Sequence, residues 1–179
     1  SETTQNLYVH QTGTISTLRI LQNIHDGLVT TDQNLNIIPE LAKSYSLSDD
    51  GLTYTFKLRN DVLFHNGSKM TAADVKYSFE TIINPDTGAV NKPVFNSVAA
   101  IETPDDYTVK IRMNQINAPF LGRLAALGAG AIIPKGSADI QGETPIGAGP
   151  LKFVRREFGN EVELERFDEY WNGASCIDR

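Results

Sequence analysis

The chain has 179 residues, 40% hydrophobic and 21% charged, with a formal net charge of −6 from 16 Lys+Arg against 22 Asp+Glu. That length suits one domain burying roughly 70% of its unfolded surface, and the balance excludes wholesale disorder. The acidic excess is the wrong sign for nucleic acid or an anionic membrane surface, and the longest weakly polar run, residues 124–133, falls far short of the ~20 residues of a membrane span.

Residues 7–9 read as a short strand and Thr12-Gly13-Thr14 as a loop. Thr17 caps a helix running to about His25, with Leu18, Leu21 and Leu28 on one face, and Asp26-Gly27 ends it. Residues 28–38 form a small hairpin around Asp32-Gln33-Asn34, and Pro39 opens a short helix through Leu41 and Ala42. After the turn Asp49-Asp50-Gly51, Tyr54, Phe56 and Leu58 alternate with polar neighbours, the mark of a half-buried strand.

Asn66-Gly67 is a further turn. Thr71 followed by Asp74 makes a capping box with Asp in the Glu place, and Val75, Phe79, Ile82 and Ile83 mark the buried face of the helix it opens. Asn84-Pro85 stops that helix, and residues 85–93 are a loop. Ile101 precedes a turn at Pro104-Asp105-Asp106, after which Tyr107, Val109, Ile111 and Met113 alternate as a strand. Pro119 starts a helix carrying Phe120, Leu121, Leu124 and Leu127. Residues 128–134 are an apolar strand or crossing segment, and residues 135–149 are loop. Residues 151–157 and 161–167 pair across Phe158-Gly159-Asn160. Hairpins mixed with helices predict an α+β fold with a mainly antiparallel sheet.

No reactive constellation stands out. His10, His25 and His65 lie far apart, with no H-x-x-x-H pair, so core or surface roles are expected rather than metal ligation. Asp32-x-Asn34-x-Asn36 opens like a calcium loop but has Ile37 where the loop needs Gly and Lys43 where it needs Glu. No nucleophile elbow and no Walker sequence is present, and Gly128-Ala129-Gly130 and Gly147-Ala148-Gly149 lack the third glycine of a dinucleotide loop. Glu161, Glu163 and Glu165 share one face of a strand, as a solvated edge does. Cys176 is the one cysteine, so no intrachain disulfide forms.

The segment Asp49-Asp50-Gly51-Leu52-Thr53-Tyr54-Thr55-Phe56-Lys57-Leu58-Arg59, then Val62-Leu63-Phe64-His65-Asn66-Gly67 and Met70-Thr71-Ala72-Ala73-Asp74-Val75, closely resembles the family 5 extracellular solute-binding proteins, the peptide and dipeptide binders of ABC importers. Further blocks agree in order: His25-Asp26-Gly27-Leu28 with Pro39-Glu40-Leu41-Ala42, then Tyr107-Thr108-Val109-Lys110-Ile111, Ile146-Gly147-Ala148-Gly149-Pro150 and Tyr170-Trp171-Asn172-Gly173. The chain departs from the family habit at Leu63, Ala148, Leu151 and Ser175, positions of packing and turns.

The resemblance implies a fragment of a two-lobed, Venus-flytrap binding protein that closes by a hinge on its ligand. Residues 1–39 and 136–179 would belong to the first lobe and residues 40–135 to an outer subdomain, with the second lobe outside this chain. The implied role is peptide capture outside the cytoplasmic membrane for delivery to an ABC permease, without enzymatic activity or cofactor. The expected compartment is periplasmic or otherwise extracytoplasmic, reached through a signal peptide that the chain, beginning Ser1-Glu2-Thr3-Thr4, does not carry. Haem, nickel or another small solute is the alternative ligand within the family, and a hydrolytic enzyme the alternative outside it. Main-chain hydrogen bonding to an added strand needs exposed backbone and small residues. By resemblance, Gly13, Thr14, Ile15 and Asn91 fall where the first lobe meets ligand, while Gly51, Gly67, Thr71, Asp74, Phe56, Leu58 and Val75 are structural.

Overall fold

The computed structural model describes residues 6–157 and 161–176. Helix α1 (Ile15–Leu21) is followed by a hairpin of β1 (Val29–Thr31) and β2 (Ile37–Pro39). β3 (Ala42–Leu47) pairs with β4 (Thr53–Leu58), α2 (Ala72–Ile83) crosses over, and β5 (Val98–Asp105) pairs with β6 (Thr108–Met113). Short helices α3 (Phe120–Leu124) and α4 (Leu127–Gly130) and an irregular stretch lead to the hairpin of β7 (Leu151–Glu157) and β8 (Glu161–Arg166). The fold is α+β, and all the pairings between these strands are antiparallel.

The main sheet runs β3-β4-β6-β5. Its central strands are the two with the cleanest alternation. Tyr54, Phe56 and Leu58 of β4 and Val109, Ile111 and Met113 of β6 are all buried, with Phe56 opposite Val109 and Tyr54 opposite Ile111. Helix α2 lays Val75, Phe79 and Ile82 against this face. An aromatic row then joins α2 to α3 and back to the sheet: ring centroids lie 5.1 Å apart for Phe79–Phe95, 6.1 Å for Phe95–Phe120 and 5.4 Å for Phe120–Tyr54. Each such pair contributes about 0.5–1.5 kcal/mol beyond the area it buries. A smaller cluster of Leu7, Val9, Leu21, Ile24, Ala131 and Ile133 packs beside α1.

Several local expectations are corrected. Residues 7–9 are not a strand: Gln11 and Thr12 both donate to the Tyr8 carbonyl, closing a turn, and Leu7 bonds Gly142 instead of a strand partner. Helix α1 starts at Ile15 with Thr14 as its N-cap, so Thr17 is a buried helical residue and not the cap. Pro39 opens no helix. It ends β2 opposite Val29, and the N–H groups of Glu40, Leu41 and Ala42 are taken by the carbonyls of Leu28, Gly27 and Leu28, so tertiary pairing overrides the local proline signal. β3 and most of β5 were not foreseen, and residues 128–130 continue helix α4 before Ala131 bridges Gly27. The hairpin of β7 and β8 forms as expected, its tip at residues 158–160 lying outside the described residues.

Ser78 couples α2 to the crossing segment. Its hydroxyl lies 2.8 Å from the Asp74 carbonyl and accepts the Ile133 N–H at 2.9 Å, all of it buried. Ser78→Ala leaves that N–H without a partner in an apolar surround, an expected loss of about 2 kcal/mol in urea unfolding. A change below about 0.5 kcal/mol would show that the bond contributes nothing.

Candidate functional site

Gly13, Thr14 and Ile15 form an exposed edge at the start of α1, with the Ile15 side chain 70% exposed. Two hydrogen bonds bring the loop after α2 against this edge: the Val90 N–H donates to the His10 carbonyl at 3.0 Å, and the Gln11 side chain donates to the Thr87 carbonyl at 2.6 Å. Asn91 follows, half-buried, without capping the short 3-10 turn Lys92–Phe95.

Gly128 of α4 is the meeting point. A Cβ placed there would stand 2.6 Å from Asn91 Nδ2 and 3.9 Å from a Leu18 methyl of α1, so a side chain at 128 would push the Asn91 carboxamide off α4. Beside it opens a cavity of about 290 Å³ lined by Val90, Asn91, Pro93, Val94, Arg123 and Ala126. The lining is mostly apolar with one guanidinium, a surface that suits part of a small solute and supplies no nucleophile. Beneath this surface His10 donates Nε2–H to the Ala131 carbonyl at 3.0 Å, and burial pushes its pKa down to about 4, so the ring is neutral. Pro93, Arg123 and Ala126 are not singled out by the sequence, and Gly128 stands out there only in a glycine pair that fails as a dinucleotide loop. No local pattern marks them, because the cavity joins a loop to a helix more than thirty residues on.

The sequence blocks that carry the family resemblance gather elsewhere, in one buried junction. Gly147 and Gly149 lie against the end of the α1 turn. The Gly149 and Leu151 N–H groups donate to the Ile24 and Asn23 carbonyls, both at 2.9 Å. His65 donates Nε2–H to the Gly149 carbonyl at 2.9 Å and accepts the Gly147 N–H on Nδ1 at 3.4 Å, which fixes one neutral tautomer. Burial lowers its pKa to about 4 and drives that of His25 well below the usual histidine range. The Trp171 indole N–H donates to Asp26 Oδ2 at 2.8 Å across 145 residues of sequence, and the Arg59 guanidinium stacks on the indole 4.1 Å from its centroid. These motif residues therefore hold the fold. Among the described residues no cluster of three or more His, Cys, Asp or Glu side chains is arranged to hold a metal ion. Asp32 instead accepts the Asn34 and Asn36 N–H groups, each at 2.8 Å, around Leu35 at φ 64°, which makes it a turn residue and not a calcium ligand. The glutamates of β8 are paired rather than free: Arg155 meets Glu161 and Glu163, and Lys152 meets Glu165.

The geometry agrees with known proteins. The glutathione-binding protein GsiB of Pectobacterium atrosepticum is 36% identical over 158 residues, covering 87% of this chain and 31% of the relative. A putative ABC transporter peptide-binding protein of Brucella ovis is 35% identical over 166 residues, covering 86% and 31%. The chain thus spans about a third of the length of the curated relatives it matches. Among solved structures, the binding protein AgaA of A. tumefaciens R10 in complex with agropinic acid superposes with a TM-score of 0.87 at 35% identity, over 93% of this chain and 34% of that one. The profile described as "Bacterial extracellular solute-binding proteins, family 5 Middle" matches residues 36–179. A match over that much of the chain, on a fold shared with a solved binding protein, makes this chain a member of the family 5 bacterial extracellular solute-binding proteins.

Proposed function

We propose that the chain is part of the substrate-binding subunit of an ABC importer, a carrier and not an enzyme, that captures peptides or peptide-like solutes outside the cytoplasmic membrane and passes them to a permease. Relatives named as binding glutathione and peptides support the substrate class. In this reading residues 1–39 and 136–179 belong to the first lobe and residues 40–135 to an outer subdomain built on the four-stranded sheet, with the ligand closed in by a second lobe outside this chain. Gly13, Thr14, Ile15 and Asn91 face the ligand. The observation that carries this assignment is the tie between the loop after α2 and the segment leading into α1, through the Val90 and Gln11 bonds, with Asn91 lining a 290 Å³ cavity beside Gly128.

Isothermal titration with di- to pentapeptides, with haem and nickel as controls, tests it on this chain and its full-length form in parallel. The expected result is saturable peptide binding by the full-length protein, weakened about tenfold by Asn91→Ala, which is about 1.4 kcal/mol, at an unchanged melting temperature. Binding of haem, nickel or another solute in place of peptides would sink the peptide assignment. Peptide binding indifferent to Asn91→Ala would move the site elsewhere.

A further inference from the structure

The junction holds two acids that the proposed site does not use. Asp26 is 5% exposed and Glu40 half-buried, and both line a cavity of about 220 Å³ together with His25, Gln22 and the apolar ends of α3 and α4. Asp26 accepts from Trp171 and from the Tyr170 side chain, and Glu40 Oε2 accepts the Gly27 N–H at 2.7 Å, so residues 170–171 anchor one carboxyl and the backbone next to Asp26 anchors the other. Among the described residues neither acid takes part in an ion pair. Arg59 donates its Nε–H to the Glu40 backbone carbonyl at 2.8 Å and lays its face on Trp171. His25 adds no positive charge, because burial keeps its ring neutral.

We propose that Asp26 and Glu40 act as one proton-linked pair that sets the strength of the junction between residues 25–28 and residues 170–173, firm while the pair keeps a proton and loosened when both carboxyls ionise.

Two carboxylates sharing a poorly solvated cavity repel each other and lose hydration, so the second ionisation is resisted. Burial raises Asp26 to about 6 against the pull of its Trp171 and Tyr170 bonds. Burial and then the Asp26 charge raise Glu40 to about 7 against its Gly27 bond. The folded state therefore binds more protons than the unfolded one. The stabilisation is complete below the ordinary carboxylate range and is lost as pH rises through about 6 to 7. The buried histidines act the opposite way. His10 and His65 are held neutral in the fold, so their contribution is present above the usual histidine pKa and lost as pH falls from about 6.5 toward 4, and the neutral His25 acts in the same direction. The two sets act in opposite directions, so only the loss on the alkaline side is due to the acid pair.

Trp171 is the one tryptophan of the chain and sits on Asp26, so its emission reads the pair directly. Emission and thermal unfolding followed from pH 5 to 8 on the wild type and on Glu40→Gln provide the test. In the wild type the emission should change with a midpoint between pH 6 and 7, and the melting temperature should fall over the same range. In Glu40→Gln the emission midpoint should move toward lower pH, and the melting temperature at pH 8 should exceed that of the wild type by about 2–4 °C. A wild-type emission flat over this range, or a melting temperature whose alkaline arm is the same in both proteins, would overturn the proposal. Should Glu40→Gln fail to fold, the wild-type emission titration decides alone.

Discussion

Gly147→Ala is expected to destabilise the chain by about 3 kcal/mol or more, with Gly13→Ala as a near-silent control within about 0.5 kcal/mol. A Cβ at position 147 would stand 2.1 Å from the Ile24 carbonyl oxygen and 2.6 Å from His25 Nδ1. Neither neighbour can give way. The Ile24 carbonyl is held by the Gly149 N–H, and His25 is enclosed on all sides. Position 147 also anchors the turn at His65, because its carbonyl accepts the His65 backbone N–H at 3.0 Å. At Gly13 nothing lies within 4 Å of the added carbon, so the backbone there has room for a side chain. Urea unfolding at pH 6, fitted with a common slope, measures both. A Gly147→Ala midpoint close to that of the wild type would mean that the two segments are not packed as described. Stability unchanged in Gly13→Ala makes that variant a clean probe of the proposed ligand edge.

The contrast between the two glycines separates what local sequence encodes from what it does not. β4, β6 and α2 were readable because each has a strong period of its own: Tyr54, Phe56 and Leu58 on one side, Val109, Ile111 and Met113 on another, Val75, Phe79 and Ile82 along a helix. The two edge strands were not. β3 buries Ala42 and half of Tyr45 and leaves Lys43, Ser44, Ser46 and Leu47 exposed, so its pairing with β4, and not its composition, makes it a strand. β5 carries Pro104, tolerated because it lies on the sheet edge beside a register shift. The family blocks were visible as words in the sequence, yet their physical meaning, a junction of His25, His65, Gly147, Gly149 and Trp171, depends on contacts as far as 145 residues apart. The candidate site is of the same kind. Asn91 and the Gly13–Thr14–Ile15 edge were named by resemblance, whereas Arg123 and Gly128 enter only once α3 and α4 fold back onto the loop after α2.

Asp74→Ala is the second variant expected to have a large effect, again about 3 kcal/mol. The sequence foretells part of the reason. Asp74 Oδ2 accepts the Thr71 N–H at 2.8 Å and the Thr71 hydroxyl at 2.9 Å, closing the start of α2, and loss of such a cap costs about 0.5–2 kcal/mol. The other part is tertiary. Oδ1 accepts the Lys135 N–H at 2.8 Å, 61 residues away, where the crossing segment leaves the core. Asp74 is itself buried and its carboxylate holds the half-buried Thr71 and the Lys135 N–H together, and the loss of a bond to a carboxylate adds about 1–3 kcal/mol. Asp74→Asn separates the two contributions, because its one carbonyl oxygen can serve the Thr71 side or the Lys135 side but not both. It should fall between wild type and Asp74→Ala in urea unfolding, whereas Thr71→Ala should cost only the capping share. If Asp74→Ala cost no more than Thr71→Ala, the bond to Lys135 would be energetically idle, and the tie between α2 and the crossing segment would rest on Ser78.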